Sequence, residues 1–447
     1  MTHAIRGSVV TCVDNPFLKP VDECVLHIDD AIIVIDNGII IDFGETSDIM
    51  PKLANDMKIY HYTDALIIPG FIDCHVHYPQ TQMIGAFGKQ LVDWLNKYAF
   101  QAEQSFNDAI HAKNVARFFL RECLRAGTTT ASVFCTVDPI SVNAFFEESS
   151  KLNMRNIAGK VLMDRNAPEA LLDTPQQGYD QTKELIARWH GKGRQLYAVT
   201  PRFAPTSSPE QMEMTGAVWA EHPGTYLQTH VSENKSEISW VKELYPDHKN
   251  YIDVYQHYGQ LGPRAILGHA VHLSEDELQI LHDTGTAIAH CPTSNLFLGS
   301  GLFSLENAFK KERPVRVGLA TDLGAGTNFS QLVSMNEAYK IAQLDDYSLS
   351  AIHAYYLSTL GAAEALYLDD KIGSIEIGKE ADITVLDKKA TPLQEFRTGY
   401  ANDWQEELFI MMTLGDDRNA KATYVAGELV YARAAALDND IFSDLLK

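Results

Sequence analysis

Leu66-Ile67-Ile68-Pro69-Gly70-Phe71-Ile72-Asp73-Cys74-His75-Val76-His77 is the stretch on which the fold turns. An apolar run closes on two histidines one residue apart. In an extended strand the side chains at i and i+2 share a face, so His75 and His77 offer two imidazoles to one point in space. A transition metal needs that arrangement. Cys74 faces the other way on such a strand and reads as packing.

Outward from this run, short apolar segments alternate with longer amphipathic ones, the pattern of repeated β-α units and a parallel sheet. Candidate strands fall at 129–134, 157–163, 196–200, 225–229, 265–268, 286–289 and 315–321. With the run before His75 they number eight, and most are apolar on both faces, as strands enclosed by helices should be. Helix starts lie between them: Ser208-Pro209-Glu210-Gln211, and a capping box in Ser274-Glu275-Asp276-Glu277. Eight units over about 300 residues fit a (β/α)8 TIM barrel.

The ends are patterned differently. Segments 24–28, 31–36 and 38–44 are separated by turns such as Asp36-Asn37-Gly38. The tail resumes this style at 383–386, 423–425 and 428–430, after Gly378-Lys379-Glu380-Ala381-Asp382 and around Gly427. These predict short antiparallel strands. Neither end could bury much core alone, so one small β-sandwich built from both termini is expected rather than two separate end domains. The expected organisation is an α/β chain with 1–67 and 376–447 forming the sandwich and 68–375 the barrel.

Composition narrows the function. The net charge of −22 repels phosphate backbones, which disfavours nucleic acid and leaves a small-molecule substrate as the easier reading. No run approaches 18 uninterrupted apolar residues, so no membrane span is expected. The first 30 residues lack the basic head and apolar stretch of a signal peptide. Six cysteines with no C-x-x-C pair read as reduced thiols of a cytoplasmic protein.

In a barrel, side chains at the carboxyl ends of the strands converge on one mouth. The first candidate strand ends with His75 and His77, the fourth with Thr200-Pro201-Arg202-Phe203, the fifth with His230, the sixth with His269, the seventh with His290 and the eighth with Asp322. A lone histidine after an apolar run is more often a core residue, and a lone aspartate a helix cap. Together they point to a metal site. Imidazoles and a carboxylate suit Zn²⁺, with Fe²⁺ and Mn²⁺ also fitting, and the lack of thiolate ligands argues for catalysis. Such an ion would lower the pKa of a bound water to about 7. Glu233, three residues past His230, is placed to carry a proton there; the alternatives are a surface carboxylate or a helix cap. The apolar stripe in Gln90–Phe100 reads as packing, with a lid or a dimer contact as the other options.

At these residues the chain resembles the amidohydrolase superfamily, from the Pro-Gly-Phe-Ile-Asp-x-His-x-His strand to the Gly-Lys-Glu-Ala-Asp-Ile tail. More narrowly it is similar to the guanine deaminase family. The motifs are His77-Tyr78-Pro79-Gln80-Thr81, Gln90-Leu91-Val92-Asp93-Trp94-Leu95-Asn96-Lys97-Tyr98, Thr200-Pro201-Arg202-Phe203-Ala204-Pro205-Thr206, Gln228-Thr229-His230-Val231-Ser232-Glu233-Asn234 and Ala289-His290-Cys291-Pro292-Thr293-Ser294-Asn295. The resemblance implies one Zn²⁺ per subunit held by His75, His77, His230 and Asp322. It implies Asp322 and Glu233 as proton carriers and His269 as a contact to water or substrate. Tyr78, Pro79, Gln80, Arg202 and Phe203 would contact the purine beside these groups. The implied reaction is attack at C2 of guanine with release of ammonia and xanthine, in a homodimer. Bidentate donation from Arg202 would separate an oxopurine from an aminopurine; pairing of Arg202 with a structural carboxylate is the alternative. Binuclear relatives use a carboxylated lysine; Lys160 sits inside its candidate strand rather than at its end, which implies one metal.

Two rivals remain at this level. One is an aminohydrolase of another ring, such as a pterin, an adenine-type base or a chlorinated triazine. The other is an inactive scaffold, against which stands the complete set of ligand positions. Zinc deaminases with H-x-E and P-C-x-x-C need a cysteine pair this chain lacks.

Overall fold

The computed structural model describes residues 2–88 and 91–433, with the backbone alone at Val92. Its strands sort into two sheets. The N-terminal segment supplies β1 (His3–Cys12), β2 (Val25–Asp36), β3 (Ile39–Glu45) and β4 (Ile59–Pro69). The middle supplies β5 (Phe71–His77), β6 (Thr128–Phe134), β7 (Ile157–Gly159), β8 (Val161–Leu162), β9 (Leu196–Pro201), β10 (Tyr226–Val231), β11 (Ala265–His269), β12 (Ala287–His290) and β13 (Val317–Leu319). The tail returns β14 (Ile383–Asp387), β15 (Ala420–Val425) and β16 (Glu428–Ala432) to the first sheet.

Both termini do share one sheet, in the order β16-β15-β14-β4-β1-β2-β3. The expectation of purely antiparallel pairing is corrected at one place: β1 and β4 run parallel. After the β2–β3 hairpin the chain crosses back through residues 46–58, so β4 enters on the free side of β1 in the same direction. The apolar run 66–74 is likewise two strands rather than one. It passes from the end sheet to the barrel at Gly70, where a Cβ would lie 2.2 Å from Thr129 Oγ1. Gly70 N–H donates to the Asp382 carbonyl at 2.8 Å, fixing the corner.

The barrel strands follow chain order, β5-β6-β7-β9-β10-β11-β12-β13, all parallel, with β8 beside β9. The expected strand 157–163 is broken at Lys160, whose buried ammonium pairs with Asp173. First and last strands meet through side chain as well as backbone. Thr321 N–H donates to Asp73 Oδ1 at 3.0 Å, its hydroxyl bonds Asp73 Oδ2, and Asp322 N–H donates to the His75 carbonyl at 3.0 Å.

Helices cover the barrel. Ala109–Arg125 buries Ala112, Ala116, Phe119, Leu120, Cys123 and Leu124, a stripe at helical spacing. It meets the helix Pro139–Lys151, where the rings of Phe119 and Phe145 lie 6.2 Å apart. Each fully buried ring of this kind contributes about 1.5–3 kcal/mol. The Ser274–Glu277 capping box forms as its sequence predicts. No helix among the described residues is long and apolar enough to cross a membrane.

Candidate active site

Strand ends β5, β10 and β11 and the turn after β13 bring His75, His77, His230, His269 and Asp322 together at the carboxyl mouth of the barrel. The Nε2 atoms of His77 and His230 lie 3.1 Å apart. Asp322 Oδ1 is 3.5 Å from His75 Nε2 and 3.6 Å from His77 Nε2. Donor atoms of His75, His77 and His230 fall within 4.8 Å of one another, and a second group joins His75 to His269, Cys291 and Asp322 on the same criterion. Ser232, His269 and Asp322 hold positive φ angles of 47°, 69° and 47°, a costly conformation for residues with a Cβ and one that clusters at working sites.

The donor set fits a metal ion. His75 Nε2 and His77 Nδ1 are buried with no hydrogen-bond partner in the protein. His230 Nδ1 lies 2.6 Å from the Arg202 carbonyl, so it carries the proton and leaves the Nε2 lone pair free. Burial pushes the pKa of His75, His77 and His230 down, favouring the neutral ligand form. Asp322 sits at about 2: burial opposes ionisation, but the neighbouring imidazoles, His75 and His269 foremost, outweigh it. The Cys291 thiol, a neighbour the sequence reading passed over, is pushed well above its usual range by burial, and a protonated thiol is a poor ligand.

Glu233 stands over this cluster. Burial raises its pKa above that of an ordinary glutamate, Ser300 Oγ donates to Oε1 at 2.8 Å, and Oε2 lies 3.5 Å from His269 Nε2. His269 is oriented from behind by Asn295 Oδ1, 2.9 Å from Nδ1. Burial disfavours its protonation, but the carboxylates of Glu233 and Asp322 outweigh this and raise its pKa. Glu237 braces the Glu233 turn, accepting the N–H groups of Glu233 and Asn234 at 2.9 and 3.1 Å.

A cavity opens on these groups. Gln80, Arg202 and Phe203 line it together with Leu91, Trp94 and Leu95. The segment read as packing is therefore also a cavity wall, with a π-helical turn at Leu95–Ala99; Gln90 lies outside the described residues. Tyr78 and Pro79 are not among the residues that line the cavity. Tyr78 turns into the core, donates its hydroxyl to the Ser141 carbonyl at 2.7 Å and packs on Phe106 and Phe145. His290 also stays outside the donor groups, stacked on Phe303 with ring centroids 4.7 Å apart. Arg202 does pair with a carboxylate, Glu103, which nothing in its helical surroundings singled out beforehand.

A barrel whose strand ends turn imidazoles and a carboxylate toward one point, with a buried glutamate above, has the design of the barrel hydrolases that work through a bound cation. The chain belongs to the amidohydrolase family, whose profile it matches over residues 66–430. It is 51% identical to guanine deaminase of Escherichia coli (strain K12) over 433 residues, covering 96% of this chain and 98% of that one. The solved structure of the E. coli guanine deaminase superposes with a TM-score of 0.93 at 50% identity, covering 97% and 99% of the two chains. The guanine deaminase from C. acetobutylicum, solved with guanine in its active site, gives a TM-score of 0.86 at 27% identity over 96% and 100%.

Proposed function

We propose that the protein is an enzyme that hydrolyses guanine to xanthine and ammonia. The observation that carries this reading is the meeting, in one cavity, of the His75–His77–His230–Asp322 donor set, Glu233, and the Gln80–Arg202–Phe203 wall. Near-complete alignment with guanine deaminases of 51% and lower identity supports it.

His75, His77, His230 and Asp322 would hold one Zn²⁺, which when bound lowers the pKa of a water to about 7. The remaining work falls to the chain. As water attacks C2, Glu233, whose pKa burial raises, takes up the first water proton and passes it to the ring nitrogen beside C2; the second, collected from the hydroxyl by Asp322, goes to the departing amine, which leaves as ammonia. His269, between Glu233 and Asp322 at 3.5 and 3.8 Å, holds the attacking oxygen on line. Phe203 packs on the flat heterocycle, Gln80 and Arg202 hold its polar edge, and Leu91, Trp94 and Leu95 exclude bulk water. We read the enzyme as cytoplasmic and as serving purine catabolism, in keeping with its free buried cysteines. A homodimer is the expected assembly.

Absorbance assay of guanine-to-xanthine conversion tests the reading. Glu233→Gln is expected to retain metal while kcat falls about 10²–10⁴-fold. Wild-type turnover of guanine no faster than of adenine or a pterin would refute the substrate assignment.

A further inference from the structure

Glu103 ends the short helix Phe100–Glu103, and its side chain is 1% exposed. Its carboxylate accepts Arg202 Nη1–H at 2.9 Å on Oε1 and 2.8 Å on Oε2, and Gln80 Nε2–H at 3.0 Å on Oε1. Phe100 lies under the same guanidinium, with Cζ 5.2 Å from the ring centroid. Arg202 and Gln80 line the cavity; Glu103 stands behind them.

Resting on the guanine reading, we propose that Glu103 is a positioning residue that sets which purine edge the enzyme accepts. A primary amide can present either its NH₂ or its carbonyl, and the two ends have nearly the same shape. A carboxylate only accepts, so Glu103 takes the NH₂ of Gln80 and turns the amide oxygen elsewhere. Gly324 leaves room for that oxygen: a Cβ there would lie 2.0 Å from Gln80 Oε1. Arg202 commits Nη1 to Glu103 and keeps its other nitrogens as donors. The pair then offers one acceptor beside fixed donors, the complement of a ring edge that carries an N–H and a carbonyl. A 6-amino group would set N–H against N–H, and a site whose buried polar groups are left unpaired rejects its ligand strongly. Glu103 also supplies the counter-charge without which a buried guanidinium is costly.

The test compares wild type, Glu103→Gln and Glu103→Asp on guanine and on 2,6-diaminopurine, which keeps the C2 amine and replaces the 6-carbonyl. Glu103→Gln is expected to keep its metal and to hold kcat for guanine within about fivefold. Its KM should rise about tenfold or more, and the guanine preference in kcat/KM should fall by a similar factor. Glu103→Asp, whose carboxylate is drawn back by one methylene, should show a smaller rise in KM and lose a smaller part of that preference. If Glu103→Gln does not fold, Glu103→Asp decides: a raised KM with a reduced preference supports the proposal. An unchanged preference in a folded variant, or a fall in kcat with KM unmoved, overturns it as a merely structural contact. Wild type inert on guanine defeats the activity reading itself, visibly before any variant is compared, and the proposal falls with it.

Discussion

At the scale of single residues, His290 is instructive because it joins nothing. It ends β12 as His230 and His269 end their strands, yet both of its ring nitrogens lack a hydrogen-bond partner in the protein. Burial, aided by the charge of His269, holds its pKa at about 3, so it stays neutral on Phe303. His290→Asn should therefore leave the metal content of purified protein at the wild-type level by elemental analysis, whereas His230→Asn should lower it sharply. A loss of metal in the first variant would place His290 among the ligands. His75 and His77 were legible in the sequence because i and i+2 share a face and the pair closes a strand. His290 shares the strand-end signal but turns toward Phe303, a contact made by residues outside the barrel strands. Tyr78 could not be placed for a related reason: it follows His77 in sequence but leads a 3-10 turn that points its ring into the core. Glu103 was illegible, since a carboxylate in an amphipathic stretch reads as solvated until its tertiary partner is known.

At the scale of elements, the packing of β5 against β13 can be read through one glycine. A Cβ on Gly318 would lie 2.2 Å from Cys74 Sγ and 3.3 Å from Ala362 Cβ. Cys74 thus faces outward from the barrel, as its alternation with His75 along the strand predicted. Gly318→Ala should destabilise by about 1–3 kcal/mol through overpacking. Combining it with Cys74→Ala should recover part of that loss, so denaturant melts of the two single variants and the pair should be non-additive. Strict additivity would show that the thiol can move aside. Strand existence was legible from apolar runs and turn residues. The break at Lys160 and the bend at Gly70 were not, because both depend on neighbours brought by other strands: Asp173 in one case, Thr129 and Asp382 in the other.

At the scale of the whole molecule, the tail motif Gly378–Ile383 fastens the end sheet to the barrel. Arg194 donates Nη2 to Glu380 Oε2 at 2.6 Å and Nη1 to Asp382 Oδ1 at 3.0 Å, and Arg155 Nε donates to Glu380 at 2.7 Å. Asp382 also accepts the Ala426 N–H at 2.7 Å. Removing one partner from so buried a cluster typically costs about 3–5 kcal/mol, so Arg194→Met should lower the thermal midpoint clearly. The pH dependence follows from Glu380. Burial alone would raise its pKa, but Arg155 and Arg194 hold it below 4.5 in the fold. Its contribution is present above the unfolded value and is lost as pH falls through the folded one. Wild type should therefore lose more of its midpoint than Arg194→Met between neutrality and pH values below 4.5; equal losses would show that the cluster contributes nothing. The barrel and the shared end sheet were legible from the two styles of periodicity, while this fastening, made by groups far apart in the chain, was not. The barrel seam carries a last consequence. Asp73 and Thr321, bonded across it, stand 248 positions apart, and the donor set straddles the same junction. A nascent polypeptide therefore cannot assemble the whole donor set until its eighth repeat has emerged and docked against the first.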